Sequence, residues 1–300
     1  MARNTTGDAL ARKANEGYAD FSRAEMIARA AHRAAAVREV APPRTLTAFG
    51  RKGIALLREL EYRPVQTSED LEALYAFRYR CYRHGGHVGF AAEERVTDEL
   101  DEDPASIRIG VWLGGRMVAS IRLQHLTQVQ RSGPSVVAFP DIVNPMLDRG
   151  LTMIDPSRLT VDHDASREHP LLPYLTVRLA AMASLHFDVD YCLSCVRQSH
   201  GAFYDRVIES KPVAGQRPYP GLNFDVSLYA SNVRDAYDRV FSRFPFFHSL
   251  PSERRMLFGP RPGGAAATAP SHGEAGIVAQ LAGPPGFLTV LPTAHLAVNA

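Results

Sequence analysis

The sequence has little cysteine, almost no net charge and no long apolar run, and each absence excludes a class of protein. Its 34 basic residues are opposed by 32 acidic ones, so the formal net charge is +2. Because a general nucleic-acid binder carries a strong basic excess, we exclude nucleic acid as a partner. Three cysteines, Cys81, Cys192 and Cys195, are too few for a disulfide framework and predict a reducing compartment.

No segment holds the roughly 18 uninterrupted apolar residues that a transmembrane helix needs. The N-terminus MARNTTGDALARK lacks the apolar core of a secretion signal. We therefore expect a cytoplasmic protein with no integral membrane segment. Hydrophobic residues make up 45% of the chain and charged residues 22%, which is the balance of a globular protein rather than a disordered one.

Shifts in composition along the chain predict three regions. Residues 1–60 are rich in Ala, Arg and Glu, and residues 20–40 within them predict one helix with few large apolar residues. Residues 61–259 carry the strand and helix patterns of one compact domain. Residues 260–300 are rich in Ala, Gly and Pro and predict a disordered tail.

Periodicity and turn residues predict alternating strands and helices. The predicted strands cover 63–66, 107–113, 117–123, 152–161, 191–196 and 222–229, and the predicted helices cover 48–60, 68–84, 170–187, 200–209 and 232–244. Ser68 is expected to cap the second helix, and Gly114-Gly115 marks the clearest hairpin. This order predicts an α+β fold with one mixed central sheet and helices on both faces.

Charged side chains in four short segments are the strongest candidates for chemistry. They are Arg78 and Tyr82 in a helix, Asp98 and Asp101 in an acidic segment, Arg122 in the second hairpin strand, and Asp155 and Arg158 in the strand DPSRL. An arginine inside an apolar strand, such as Arg122, needs a buried acid or an anionic ligand to offset its desolvation. We therefore expect internal salt bridges, a ligand site, or both.

This set, in this order, resembles the acyl-homoserine-lactone synthases (LuxI-type) and, more closely, the long-chain N-acyl amino acid synthases (FeeM-type), over roughly residues 60–230. The resemblance implies the acyltransferase fold of the GNAT class. Tyr82 stands where those families usually have Phe, and Asp155 where they usually have Glu. Homoserine-lactone synthases place a Trp between the helix and the acidic loop, whereas the one Trp here is Trp112. That departure favours an amino-acid acceptor.

The resemblance implies an N-acyltransferase that moves a long-chain fatty acyl group from acyl carrier protein to the α-amine of an amino acid. Its partners would be the carrier protein, the acceptor and the acyl chain, with no cofactor besides the 4′-phosphopantetheine arm of the donor. Two alternatives stay open. One is a homoserine-lactone-type synthase that uses S-adenosylmethionine, and the other is a non-catalytic module that binds acyl chains or carrier protein.

The segment after the predicted strand 152–161 bears on the acyl donor. Acetyl-CoA enzymes of this fold hold a pyrophosphate on the N–H groups of a glycine-rich turn, whereas residues 162–168 read DHDASRE. Because these acids would repel a pyrophosphate, a carrier protein with a single phosphate is the better donor. Its acidic surface would be met by Arg80 and Arg83, in a patch with Arg78, Arg51, Lys52 and Arg58.

Acyl transfer to an amine assigns roles to these residues. Because only a neutral amine attacks a thioester, a carboxylate must take its proton, and we expect Asp155 first and then Asp98 or Asp101. Arg158 completes the catalytic set, and main-chain N–H groups at a bulge after Asp155 could hold the oxyanion. Alternatively, Asp98 and Asp101 only pin the arginines in a charge network.

The substrate-binding set would comprise Arg78, Tyr82, Arg122, Leu159, Thr160 and Val161. One of its arginines could hold the acceptor's carboxylate with two hydrogen bonds. Cys81, His84 and His87 lack a fourth ligand at recognisable spacing, so no metal site is predicted.

Two further expectations concern residues near the end of the domain. Cys192 and Cys195 are three residues apart on a strand, so they are expected on opposite faces as core residues. His200 is expected to cap the helix over 200–209.

Overall fold

The computed structural model describes residues 46–88, 92–220 and 222–259. The helix predicted over 20–40 and the tail predicted over 260–300 lie outside these residues. Within the described ranges, no helix is both long and apolar enough to cross a membrane.

The described elements alternate along the chain. In order they are α1 (Ala48–Leu56), β1 (Leu60–Pro64), α2 (Ser68–His84), α3 (Glu99–Glu102), β2 (Ile107–Leu113), β3 (Arg116–Leu126), α4 (Pro134–Ala138), α5 (Pro140–Asp148) and β4 (Met153–Val161). Then come α6 (His163–Glu168), α7 (Leu172–His186), β5 (Tyr191–Val196), α8 (Gly201–Ile208), β6 (Lys211–Arg217), β7 (Val226–Asn232), α9 (Val233–Arg243) and α10 (Pro251–Phe258). Short 3-10 turns cover Gln198–His200 and Pro245–Phe247.

Seven strands form one mixed sheet in the order β1-β2-β3-β4-β5-β7-β6. Neighbouring strands are antiparallel except β4 and β5, which run parallel. The predicted α+β fold with a mixed central sheet is therefore confirmed. The β2–β3 hairpin turns at Gly114 and Gly115, whose φ angles of 56° and 78° cost a glycine nothing.

Helices cover both faces of the sheet, as predicted. Ile121 and Leu123 of β3 pack with α7, α1 and α9 in the largest apolar cluster. Leu126 of the same strand packs with α4 and α5, and Met117 packs with α2. Leu126 is an odd number of residues from Ile121 and Leu123, and the register shift at Val111 and Trp112 turns Met117 to the same side as Leu126. The face opposite α7 therefore carries α2, α4 and α5.

The parallel strands at the centre of the sheet separate soon after they begin. Met153 pairs with Tyr191 and Ile154 with Cys192, and the pairing of β4 with β5 stops there. The rest of both strands diverges, so main-chain groups of β4 on that side have no strand partner. A gap thus opens in the middle of an otherwise continuous sheet.

Two predicted boundaries near the start of the domain are wrong. The helix predicted over 48–60 ends at Leu56, because the chain turns and Leu60 begins β1, which pairs with β2. The N-cap of α2 is Thr67 rather than Ser68. Its hydroxyl accepts the N–H of Asp70 at 3.1 Å, and the Asp70 carboxylate accepts the N–H of Thr67 at 3.4 Å, which together form a capping box.

Six elements were not predicted at all: α3, α4, α5, α6, β6 and α10. The strand predicted over 222–229 is β7, which begins only at Val226 and pairs with β6. β6 contains Pro212 and Gly215 and is mostly exposed, so it lacks the apolar alternation by which strands are recognised. α4 and α5 each begin at a proline, and α5 also contains Pro145.

Candidate active site

A β-bulge in β4 directs the charged side chains of the site. Ser120 of β3 pairs with Thr160, but Arg122, two residues further on, pairs with Ser157, so β4 has one residue more than its partner. Arg158 lies in this bulge with a φ of 50°, a left-handed conformation that costs a side-chain-bearing residue about 1 kcal/mol. The bulge expected after Asp155 is therefore present.

Asp98 connects the two arginines of the neighbouring strands. Both of its carboxylate oxygens accept hydrogen bonds from Arg122, with Nη2 to Oδ2 at 3.1 Å, and Oδ2 also accepts Nε of Arg158 at 3.2 Å. Burial alone would raise the pKa of Asp98, but the hydrogen bonds from Arg122 and the charge of Arg158 outweigh it and hold the pKa well below its usual range. Asp98 is therefore ionised and a weak base.

Asp101 is fully buried and holds a third arginine. Its Oδ2 accepts Nη1 of Arg78 at 2.8 Å, and Nη1 of Arg122 lies 3.1 Å from Oδ1. Burial would raise the pKa of Asp101, but the charges of Arg78 and Arg122 lower it overall. The same Oδ2 accepts the N–H of Asp98 at 3.3 Å across α3. The short helix α3, in a segment that was expected to be a loop, thus positions both acids against the sheet.

The cluster carries more positive than negative charge. Arg78, Arg122 and Arg158 share two aspartates, and Arg108 stands opposite Arg122 across β2 and β3. Although Arg78 is completely buried, its Nε and Nη2 have no hydrogen-bond partner among the described residues. A buried positive excess is costly unless an anion meets it. The arrangement is suited to an anionic ligand on the side of Arg158, whose side chain is 10% exposed, whereas Arg122 is buried.

Asp155, the residue expected as base, is completely buried and faces α4. Its Oδ2 accepts the N–H of Ser135 at 2.8 Å, and its Oδ1 accepts the Ser135 hydroxyl at 2.7 Å. Burial raises the pKa of Asp155 to about 7, although the hydrogen bonds from Ser135 act in the opposite direction. A Cβ on Gly133 would come within 2.7 Å of Oδ2, so this close approach of α4 requires glycine.

The gap between β4 and β5 is a cleft. Its walls are Pro156, Ser157, Arg158 and Leu159 of β4, Ser194, Cys195 and Val196 of β5, and the flanking residues Tyr82, Arg122, Pro134, Tyr204, Tyr219, Leu222, Phe224 and Val226. Most of this lining is apolar, and the charged groups gather at one side. Arg158 lies 5.8 Å from the ring centre of Tyr82, which fixes the guanidinium beside the opening.

The comparisons with known proteins agree with this geometry. A family model described as "N-acyl amino acid synthase FeeM" matches residues 73–232, which is more than half of the chain. The chain belongs to the FeeM family of N-acyl amino acid synthases. It is therefore an acyltransferase. No curated protein matches the sequence as a relative.

The chain is similar to several solved structures of other proteins. FeeM, an N-acyl amino acid synthase from uncultured soil microbes, is 14% identical with a TM-score of 0.51, over 61% of this chain and 96% of that one. The acyl-homoserine-lactone synthase LasI is 12% identical with a TM-score of 0.46, over 60% and 95%. The CoA-dependent homoserine-lactone synthase BjaI, solved with MTA, is 14% identical with a TM-score of 0.44, over 62% and 89%. The likeness to FeeM confirms the GNAT-like fold.

The predicted site residues of this FeeM-family enzyme divide between the cleft and the structure behind it. Tyr82, Arg122, Arg158 and Leu159 line the cleft, whereas Arg78, Asp98, Asp101 and Asp155 stand behind its wall. Thr160 and Val161 do not line it. The Thr160 hydroxyl donates to the carbonyl of Arg158 at 3.0 Å, and Val161 packs in the α7 core. The sequence did not single out Tyr219 and Phe224, which lie in an irregular, proline-containing connection without periodicity.

The predicted surface patch of basic residues needs correction. Arg80 and Arg83 are exposed on α2, but Arg78 is completely buried and cannot belong to a surface patch. Arg51 is exposed on α1 and Arg58 is exposed in the turn that follows it, and α1 packs on the α7 side of the sheet rather than with α2.

The remaining histidine and cysteine predictions have mixed outcomes. His200 occupies the N-cap position of α8, but its side chain caps nothing. Cys192 and Cys195 do face opposite sides. Cys192 packs in the α7 core, and Cys195 packs against the core cluster of α4 and α5 and also lines the cleft. Within the described ranges, no three His, Cys, Asp or Glu side chains come together as a metal site.

Proposed function

We propose that this enzyme transfers a long-chain fatty acyl group from acyl carrier protein to the α-amine of an amino acid. The observation that carries the proposal is the positive excess of the arginine cluster, which reaches the cleft at Arg122 and Arg158. An amino acid presents a carboxylate next to its amine. Nε and Nη2 of Arg158 donate to Asp98, so its Nη1 would donate to the acceptor's carboxylate, and the amine is left pointing into the cleft.

The donor end of the cleft supports a carrier protein. Oδ1 of Asp162 accepts the N–H of Ala165 at 2.9 Å, so a carboxylate occupies the first turn of α6, where a pyrophosphate would otherwise need free N–H groups. The pantetheine arm would extend through the gap between β4 and β5, beside the unpaired edge of β4. Main-chain N–H groups at the Arg158 bulge would then stabilise the oxyanion that forms at the thioester carbonyl.

The acyl chain would occupy the apolar part of the cleft. Leu159, Val196, Leu222, Phe224 and Val226 contribute most of this wall. Burial of a saturated chain there is favourable by about 0.8 kcal/mol for each methylene removed from water. The apolar wall therefore favours long acyl groups over acetyl.

The proton of the attacking amine has one suitable acceptor. Asp98 and Asp101 are held ionised by arginines and have pKa values below their usual range, so neither is a good base. Asp155 has a pKa of about 7; it does not line the cleft, so the Ser135 hydroxyl that donates to it would pass the proton on. Attack of the amine forms the C–N bond and breaks the C–S bond, and the proton held by Asp155 would leave on the pantetheine thiol.

Reconstitution with the purified full-length chain tests the proposal. Acyl carrier protein loaded with acyl groups of several lengths is mixed with the twenty amino acids, and mass spectrometry follows the products. We expect one or a few N-acyl amino acids, and a much lower yield when acyl-CoA replaces the carrier protein. Formation of an acyl-homoserine lactone from S-adenosylmethionine, with no N-acyl amino acid, would refute the proposed acceptor. An equal yield from acyl-CoA would refute the proposed donor.

A further inference from the structure

The cleft continues into a second concavity at the carboxyl end of β5. Phe224 lines both spaces. The second space is open and is also lined by Arg197, Gln198, Ser199, Gln216 and Asp225. Because Arg197 directly follows β5, which itself forms one wall of the cleft, an arm that leaves the cleft along β5 passes this arginine.

Arg197 is held in a fixed orientation. Its guanidinium carbon lies 3.7 Å from the ring centre of Phe224, and its Nη2 is 3.0 Å from Nδ1 of His87. It forms no ion pair with a described residue, and its buried Nε has no hydrogen-bond partner there. A permanent positive charge is therefore placed at the opening of the cleft without an acid to neutralise it.

The two parallel strands end with opposite charges. After β4, the carboxylate of Asp162 occupies the first turn of α6 through its hydrogen bond to Ala165. After β5, the first side chain is the guanidinium of Arg197. Since β4 and β5 are parallel, both ends lie at the same end of the cleft. An anionic group on the donor would be repelled from the end of β4 and attracted to the end of β5.

We propose that Arg197 binds the phosphate of the donor's pantetheine arm at the carboxyl end of β5. This inference rests on the proposed function, because only a thioester on such an arm brings a phosphate to this point. The phosphodiester that joins the arm to a carrier protein has a single negative charge, which one arginine can match. The exposed carboxylate of Asp225 on the same wall opposes any further phosphate groups.

A structural role for Arg197 is the alternative that the test must separate. Phe224 belongs to the segment that covers the cleft, and Asn223 in the same segment donates to the carbonyl of Gly86 at 3.1 Å. An arginine stacked on Phe224 could simply hold this cover in place. Such a role would make Arg197 matter equally for donors with and without a phosphate.

The experiment measures binding of two unreactive thioethers, S-dodecyl-4′-phosphopantetheine and S-dodecyl-pantetheine, by calorimetry with the full-length chain. We expect the wild type to bind the phosphorylated compound about tenfold more tightly, the range of one charge-assisted contact. Arg197→Gln should remove this preference and leave the affinity for S-dodecyl-pantetheine within about twofold. Asp225→Asn should increase the preference, and Arg58→Gln, at an exposed position between α1 and β1, should leave it unchanged.

Several outcomes would overturn the inference. These are equal binding of the two compounds by the wild type, a preference that survives Arg197→Gln, or an equal loss of affinity for both compounds. If Arg197→Gln does not fold, an unchanged preference in Asp225→Asn refutes the site, because that charge faces the same space. Because the probes do not react, they measure phosphate binding independently of acyl transfer. A wild-type preference together with no amide product in the reconstitution would reject the proposed function alone. Amide formation without a preference would reject the phosphate site alone.

Discussion

Arg178 and the arginine cluster beside the cleft are both buried, but they differ in how completely hydrogen bonds and ion pairs balance their charge. Arg178 of α7 is matched at every nitrogen. Its Nε donates to the carbonyl of Phe246 at 2.7 Å, its Nη2 donates to the carbonyl of His248 at 2.7 Å, and both Nη atoms donate to Glu253 at 2.8 and 3.0 Å. Beside the cleft, by contrast, Arg78, Arg122 and Arg158 share Asp98 and Asp101. Nε and Nη2 of Arg78 have no hydrogen-bond partner among the described residues.

The difference separates a structural arginine from a ligand-binding one. Arg178 joins α7 to the 3-10 turn at Pro245–Phe247 and to α10, so its contacts hold the end of the domain against the sheet. The cleft cluster has unmatched charge, which lowers stability until an anion arrives. Burial and residue type are the same in both places, so the unmatched donors are what identify the site.

The largest expected effect comes from breaking the matched group. Arg178→Met should lower the free energy of unfolding by about 3 to 5 kcal/mol, because Glu253 and two buried carbonyls lose their donors. Urea unfolding measures this loss, and the specific activity of the remaining folded enzyme should stay near that of the wild type. Glu253→Gln is the matched control and should cost less, because the amide keeps an acceptor oxygen for Arg178 and the bonds of Arg178 to the two carbonyls remain. A large loss of activity at full stability would reverse the comparison.

Removing charge from the unmatched group should have the opposite pattern. Arg158→Gln should lower kcat/KM for the acceptor by about 100-fold, since a charge-assisted contact to its carboxylate is lost. The unfolding free energy should change little, because Asp98 keeps its hydrogen bonds to Arg122. Arg158→Lys should recover part of the activity. Unfolding at lower urea with unchanged kcat/KM would show that Arg158 is structural.

The sequence predicts some parts of the fold and of the site but not others. The hairpin strands and Tyr191–Val196 were predicted with nearly correct bounds, because glycines and apolar runs define them locally. The identity of the cleft charges was predicted too, since an arginine inside an apolar strand requires a partner. The orientation of Asp155 was not predictable, because it depends on Ser135, which is distant in the sequence. The cleft itself results from strands that stop pairing, and no local pattern encodes that.

Asp155 sharpens the comparison, because it is a buried acid whose two oxygens accept hydrogen bonds from Ser135 but form no ion pair with a described residue. Its pKa of about 7 in the folded state lies above the ordinary value, so the folded state binds the proton more tightly. Stability should therefore fall as pH rises from about 4 to about 7. From pH 5 to pH 8, we expect the wild type to lose on the order of 2 kcal/mol relative to Asp155→Asn.

Thermal unfolding of both proteins across this pH range measures the difference. Asp155→Asn keeps an oxygen for the N–H of Ser135, so it should fold. It should also lower kcat, because it cannot take the proton of the amine. Parallel stability curves would show that Asp155 does not titrate in this range. An unchanged kcat would exclude it as the base.

The smallest expected effect concerns charges that are neither buried nor matched. Arg80 and Arg83 are exposed on α2, so replacing both with Gln should leave stability within about 0.5 kcal/mol. If they meet an acidic carrier protein, KM for acyl carrier protein should rise about threefold at low salt, and the rise should vanish at high salt because exposed charges are screened. KM for an acyl-pantetheine should not change. Arg51→Gln/Arg58→Gln is the matched control, because it removes the same charge from α1 and the turn that follows it, on the other side of the sheet. An equal rise in KM in both double variants would show that the carrier responds only to net charge, and that no docking surface lies on α2.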